Sequence, residues 1–289
     1  MSSFQGMKIN PKKFHVSQLK FYLVIIPIAL FMTLPIIYIL NQAFKPLDEL
    51  FRFPPTFIAR RPTLQNFRMI MSLTSTTGIP MSRFLINTLI ITVLTVGLSI
   101  LITAMAAYAF SKKKFRERDW LFRLNQAALM FVPAAVGIPR YLIIVQVGLN
   151  NNFLVHILPL LVMPVALFLV KQFVDQVPDS LIEAARMEGA GELTVMLKIV
   201  FPLIKPALAT VGILCFQTVW GATEASNLYL VDDTLKSFAF YLTALANLNT
   251  PAMAGVQAAA SLVMFLPNLI IFIFMQSRVM NTMSHSGIK

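Results

Sequence analysis

The residues best placed to act on a partner lie together at Ser180-Leu181-Ile182-Glu183-Ala184-Ala185-Arg186-Met187-Glu188-Gly189. Alanine allows close backbone approach, and a short helix exposing Ala and Met suits a groove on another protein. Ser180 with Glu183 three positions later predicts a capping box and a helix start. Pro178 ends whatever helix comes before. Gly189 and Gly191 predict a sharp break. A second short helix, Glu192–Val200, then leads to Pro202. A rigid elbow of this kind, set between two membrane spans, passes a push from a soluble partner into the bilayer. The plainer reading is a surface helix that caps the bundle, with Glu183 serving only the capping box.

Three other polar residues stand in or beside apolar runs. Arg140 lies inside a run that starts near Leu124, about 25 Å from Arg123 along a continuous helix. A charge at that depth costs roughly 2.5–3.5 kcal/mol on insertion scales, which makes it a pathway candidate. It is equally readable as an arginine snorkelling to the membrane edge. Glu224 follows Trp220-Gly221-Ala222-Thr223 at the end of another run; it is either a polar pathway group or an interfacial helix end anchored by Trp220. Gln126, with Asn125 beside it, touches a ligand or bridges two helices.

The elements that must position these residues are set by composition. Hydrophobic residues make up 57% of 289 positions and charged residues 12%, about half the usual charged share of a soluble domain. A membrane helix needs about 20 apolar residues. Six runs qualify: Phe21–Phe44, Leu85–Phe110, Leu124–Val147, Phe153–Phe173, Leu203–Thr223 and Val256–Ser277. The expected fold is therefore an all-α membrane protein of six transmembrane helices with a helix-turn-helix on the cytoplasmic side. Its parts would be a tail over 1–20, a transmembrane domain over 21–277 and a tail over 278–289. Within the domain lie an extracellular loop over 45–84, rich in proline and with a short helix near Leu64–Met71, and the elbow over 178–200.

Lysine and arginine orient the chain. With the N-terminus inside, the inner segments hold fifteen basic residues and the outer ones seven. The block Lys112, Lys113, Lys114, Arg116, Arg118 decides between the two topologies, so both termini are expected in the cytoplasm. The net charge of +12 is thus orientation charge at a lipid surface; no basic face with interleaved aromatics points to nucleic acid. Cys215 is the single cysteine, and His15, His156 and His285 lack ligand spacing, which excludes disulfide frameworks and cysteine metal clusters. No nucleotide-binding loop and no hydrolase motif occurs. No internal repeat suggests the inverted halves of a secondary transporter.

Glu183-Ala184-Ala185, three residues, Gly189, nine residues, Ile199, one residue, Phe201-Pro202 resembles the EAA signature of permease subunits of bacterial ATP-binding cassette importers. Phe201 and Glu188 are mild departures from it. Ile138-Pro139, Gly148-Leu149-Asn150 and Pro178 through Gly189 follow the order of the carbohydrate branch, and the chain is similar to the shorter, six-span permease of the maltose-importer kind. Gly221 departs from a Trp-Asn pair common there.

The resemblance implies a type I permease fold in the bacterial cytoplasmic membrane. A second permease would complete the pathway, and two ATPase subunits would bind ATP and Mg, which this chain does not. An extracellular binding protein would deliver a sugar or oligosaccharide. Glu183, Ala184, Ala185, Arg186, Glu188 and Gly189 would carry coupling. A permease for a non-sugar solute shares the EAA element and remains an alternative. A secondary transporter would need central buried carboxylates, and a membrane enzyme a His or acidic cluster at the membrane face.

Overall fold

Backbone amides and carbonyls facing lipid must find partners within the chain, and a helix supplies them. A computed structural model describes residues 3–4, 7–8, 19–54, 56–72, 78–132, 135–247 and 253–286, with side chains between 19 and 274. Apart from one pairing of Ser3–Phe4 (β1) with Met7–Lys8 (β2), the regular structure is helical. The expected tails at 1–20 and 278–289 fall largely outside the described side chains.

The chain divides into two units. The first holds α1 (Leu19–Phe44), α2 (Leu47–Leu50), most of α3 (Gln65–Ser72) and the start of a helix over Ala254–Ser286. Helix α1 is apolar on every side, and its central residues are exposed throughout, Phe31 to 75%. The loop after it is an ordered knot. Buried Glu49 accepts from the Arg60 and Arg61 amides at 3.0 Å each, buried Lys45 donates to the Thr56 carbonyl, and Asn66 Nδ2 donates to the Ala43 and Lys45 carbonyls at 3.0 and 2.8 Å. A Cβ added to Gly255 would meet Asn66 Nδ2 at 2.6 Å, so any larger residue there has to displace the Asn66 side chain. The short helix expected near Leu64–Met71 is α3.

The second unit is built around α4 (Met81–Lys112). Next come α5 (Arg118–Ala128), α6 (Gly137–Gln146), α7 (Pro164–Asp175), α8 (Asp179–Met187), α9 (Glu192–Val195), α10 (Phe201–Leu203), α11 (Lys205–Trp220), α12 (Glu224–Leu228) and α13 (Phe238–Ala246). The helix over Ala254–Ser286, shared by both units, is α14. A single wide π turn, Met196–Val200, joins α9 to α10. Helix α4 packs on α7 and α11. Lipid gives no hydrophobic reward for that packing, so small residues that bring backbones together carry it. Ala104, Ala107, Ala166 and Ala207 are all fully buried, and a Cβ on Gly212 would lie 3.2 Å from Ile100 of α4. Thr88, Thr92, Thr95, Ser99 and Thr103 line a buried face of α4.

Among the described residues, four helical stretches are long and apolar enough to cross a membrane: Leu19–Phe44, Met81–Lys112, Lys205–Leu228 and Ala254–Phe274. A fifth forms if Phe153–Leu160 and Pro164–Asp175, bent by 43°, act as one span. These five correspond to five of the six apolar runs. The third run, Leu124–Val147, differs from expectation: it is split between α5 and α6 rather than continuous. Pro139 has no amide to donate and is tolerated in the first turn of a helix, which is where α6, starting at Gly137, carries it.

Candidate functional site

The elbow takes the shape its glycines demand, with one correction. Helix α8 begins at Asp179 after Pro178, and no side chain caps it. Ser180 lies inside the first turn, so the expected Ser180–Glu183 capping box does not form. Proline fixes the extended entry, and the start is already set one residue earlier. The far end is a Schellman turn. Gly189 has φ +85°, its amide donates to the Arg186 carbonyl at 3.0 Å, and the Ala190 amide donates to the Ala185 carbonyl at 2.9 Å.

Helix α8 buries Ile182 and Ala185 in a core shared with Val170 and Val174 of α7, Val195 and Met196, and Ala207 and Val211 of α11. The opposite face carries Glu183, Ala184, Arg186, Met187 and Glu188, all exposed, Met187 to 89%. Of the two adjacent alanines, one therefore packs inward and the other faces solvent.

The Lys112 end of α4 grips both arms of the elbow, a set of contacts the sequence reading missed. Lys112 Nζ donates to the Val177 carbonyl at 2.6 Å and to Asp179 Oδ1 at 2.8 Å. On the second arm, Glu192 receives Lys113 at 2.5 Å, Arg186 at 3.0 Å and the Tyr108 hydroxyl at 2.8 Å. Ser111 Oγ donates to Asp175 Oδ1 at 2.6 Å, and Lys171 pairs with Asp175 at 2.8 Å. Lys112 holds Asp179 below the usual carboxylate range, and Lys113, followed by Tyr108, does the same for Glu192. The signal was available: the basic block that orients the chain directly follows α4, and Glu192 follows the glycine turn.

The second candidate region lies near the Met81 end of α4. Arg140 of α6 and Glu224 of α12, 84 positions apart, form an ion pair. Both line a cavity of about 270 Å³ with Thr88, His156, Tyr229 and Ser237. The Thr88 hydroxyl accepts from the Phe238 amide at 2.8 Å, and Asn87 Nδ2 donates to the Thr234 and Lys236 carbonyls at 2.7 and 3.0 Å. These bonds tie the 232–238 loop to α4. Buried His156 sits 3.1 Å from the Leu235 carbonyl, and Tyr141 stacks on Tyr229 at 5.7 Å. Thus Arg140 and Glu224 are brought together, whereas Gln126 is exposed on α5 and lines none of this cavity. Asn125 bridges to the Pro164 carbonyl at 3.2 Å, the helix-linking role open to it from the sequence. Thr88 and Tyr108, twenty residues apart on α4, set the two regions about 30 Å apart.

The comparisons with known proteins agree with this geometry. Residues 99–277 match the family model described as the binding-protein-dependent transport system inner membrane component. The melibiose/raffinose/stachyose import permease MelC of Bacillus subtilis is 29% identical over 207 residues, covering 71% of this chain and 75% of that protein. The arabinooligosaccharide permease AraQ of Halalkalibacterium halodurans is 28% identical over 264 residues, 91% and 93% of the two chains. A solved bacterial ABC transporter involved in the import of the acidic polysaccharide alginate superposes with a TM-score of 0.78 at 23% identity, over 92% of this chain and 99% of that one. That likeness shows the fold, a type I importer permease fold. The family match spans more than half the chain and includes the elbow, Arg140, Glu224 and α4 from Ser99 onward: the chain belongs to the binding-protein-dependent transport system inner membrane components.

Proposed function

We propose that this chain is one of two permeases of an ATP-driven importer of a sugar or oligosaccharide in a bacterial cytoplasmic membrane. The relatives named above carry saccharides, and the family is a transport component rather than an enzyme. A second permease completes the pathway, an extracellular binding protein loads it, and two ATPase subunits bind ATP and Mg. The basic residues at the Lys112 end of α4 support a cytoplasmic position for that end, the elbow and both termini. The chain crosses the bilayer six times on this reading, with the third crossing made by α5 and α6 in sequence. Arg140 and Glu224 border the pathway; Gln126 joins them where a partner helix covers α5.

The observation that carries this function is the two-faced elbow. Its inner face is anchored by Ile182 and Ala185, and its outer face offers Glu183, Met187 and Glu188 beyond a fixed turn. A docked ATPase that moves this face moves α4, through Lys112 on one arm and Glu192 on the other. Closure then becomes a rigid-body switch between discrete states. The test is Glu183→Lys in the reconstituted importer. The protein is expected to insert and assemble while uptake fails and ATP hydrolysis loses its dependence on the binding protein. Uptake at the unmodified level would overturn the coupling role.

A further inference from the structure

Lys112, Lys113, Lys114, Arg116 and Arg118 crowd the chain where the apolar run of α4 stops. The elbow uses the first two: Lys112 is held by Asp179 and the Val177 carbonyl, and Lys113 by Glu192. Lys114 and Arg116 are exposed and form no ion pair among the described residues. Arg118 reaches only its neighbour Asp119, at 3.9 Å, and that carboxylate is 89% exposed, so the contact contributes little. Lys114 and Arg118 line an open cavity of about 740 Å³ between the Lys112 end of α4 and the elbow. Asp179, Glu183 and Glu192 share its walls with five lysine and arginine side chains, which leaves a surplus of two positive charges.

Bulky apolar side chains stand among and just after these cations, and the chain leaves them uncovered: Phe115 is 39% exposed, Trp120 57% and Leu121 39%. The surplus charge calls for an anion, and the apolar side chains call for hydrocarbon. A soluble phosphate meets only the first demand, and a lipid without net charge only the second. An anionic phospholipid meets both. The level along the span agrees. The apolar run ends at Phe110 and α4 closes at Lys112, so residues 111–118 lie where a span leaves hydrocarbon and meets headgroups. Basic clusters in that position are matched to anionic lipid.

We propose that Lys114 and Arg118 form a binding site for the phosphate of one anionic phospholipid, whose hydrocarbon lies against Phe115, Trp120 and Leu121. Arg118 presents a planar fork suited to phosphate oxygens, and Lys114 a point charge. The importer reading puts this lipid in the inner leaflet. Seated between α4 and the elbow, it braces the two from the membrane side.

The experiment uses the full importer complex in nanodiscs of phosphatidylcholine with a rising fraction of phosphatidylglycerol. Native mass spectrometry counts the lipids that stay bound, and thermal melting follows the complex. Phosphatidylglycerol should be retained in preference, and the melting temperature should rise with its fraction. Lys114→Gln with Arg118→Gln should lose at least one retained phosphatidylglycerol and need about threefold or more of it for the half-maximal rise. Lys198→Gln with Lys205→Gln removes two exposed cations that line no part of the cavity, and should change neither readout. Glycerol 3-phosphate added to pure phosphatidylcholine discs supplies the phosphate without hydrocarbon and should not raise the melting temperature.

Equal retention of the two lipids would overturn the proposal. So would a cavity variant that keeps its phosphatidylglycerol, or a control variant that loses as much. A full effect from glycerol 3-phosphate would make the ligand a soluble anion, and loss of the ATPase subunits instead of lipid would give the site to a protein partner; either result also removes the lipid site. Both leaflets of a disc hold both lipids, so none of these results depends on sidedness or on the Glu183→Lys test.

Discussion

The two ends of α4 solve opposite problems. At the Lys112 end, charges are many, mostly exposed and mutually paired: Asp179 and Glu192 between them take up Lys112, Lys113, Arg186 and Tyr108. Near the Thr88 end the ion pairs are two and separate, Arg140–Glu224 on the cavity wall and Lys236–Asp233 in the loop tied to α4. A fully paired network is suited to holding shape. Isolated pairs beside a cavity leave the space between the helices open. The difference teaches that charge count alone does not tell a shape-holding network from a cavity wall.

The largest effect should come from the turn. Gly189→Val places a branched side chain at φ +85°, where an L-residue costs roughly 1–2 kcal/mol and a branched one more. Uptake by reconstituted vesicles is expected to fall by more than an order of magnitude while the protein still inserts. Retained uptake would mean that the elbow tolerates a different shape, and the contrast between the two ends would break. Next comes Glu192→Ala, which removes the common partner of Lys113, Arg186 and Tyr108. Exposed pairs contribute only about 0.2–1 kcal/mol each, so stimulation of the ATPase by the binding protein should drop severalfold rather than vanish. Raising the salt should shrink the difference between this variant and the unmodified protein.

Acid should separate the ends further. Asp179 and Glu192 have carboxyls held below their ordinary values in the folded chain. Their contribution is therefore complete above the ordinary carboxylate range and lost as pH falls through the depressed values. Limited proteolysis around Gly189–Gly191 should stay slow at neutral pH and quicken only below that range. Cleavage that quickens already at mildly acidic pH would assign the elbow's rigidity to other groups.

The smallest effect on transport should come from Gly255→Ala, remote from both ends in sequence. Overpacking against Asn66 costs about 1–3 kcal/mol, so the melting temperature should fall while the ratio of uptake to ATP hydrolysis holds. A changed ratio would show that the knot at 41–66 takes part in coupling.

What could be read from the sequence followed the strength of local signals. The glycine turn, the helix at Gln65–Ser72 and the long helices were legible because Gly, Pro and unbroken apolar runs act over a few residues. The start of α8 was misplaced because a capping-box pattern and a proline entry both occur at Pro178–Glu183, and the proline prevails. The break in the third run was hidden, since hydropathy does not register helix ends and proline alone does not mark them: Pro27 and Pro35 lie inside α1, whereas Pro139 lies in the first turn of α6. The Arg140–Glu224 pair and the grip of Glu192 on α4 link residues 84 positions apart, a relation no local pattern encodes. Gln126 drew attention by residue type alone, and type does not tell which way a helix faces.

The π turn at Met196–Val200 has a consequence for any protein that meets the elbow. A π turn carries one residue more than the α turn it replaces, and one residue is worth about 100° of rotation about the axis. The angular phase between α9 and α11 is therefore offset by that amount from what an unbroken α-helix would give. Deleting a single residue there would re-aim α8 and α9 around the α11 axis while leaving Glu183, Ala184, Ala185 and Gly189 in place.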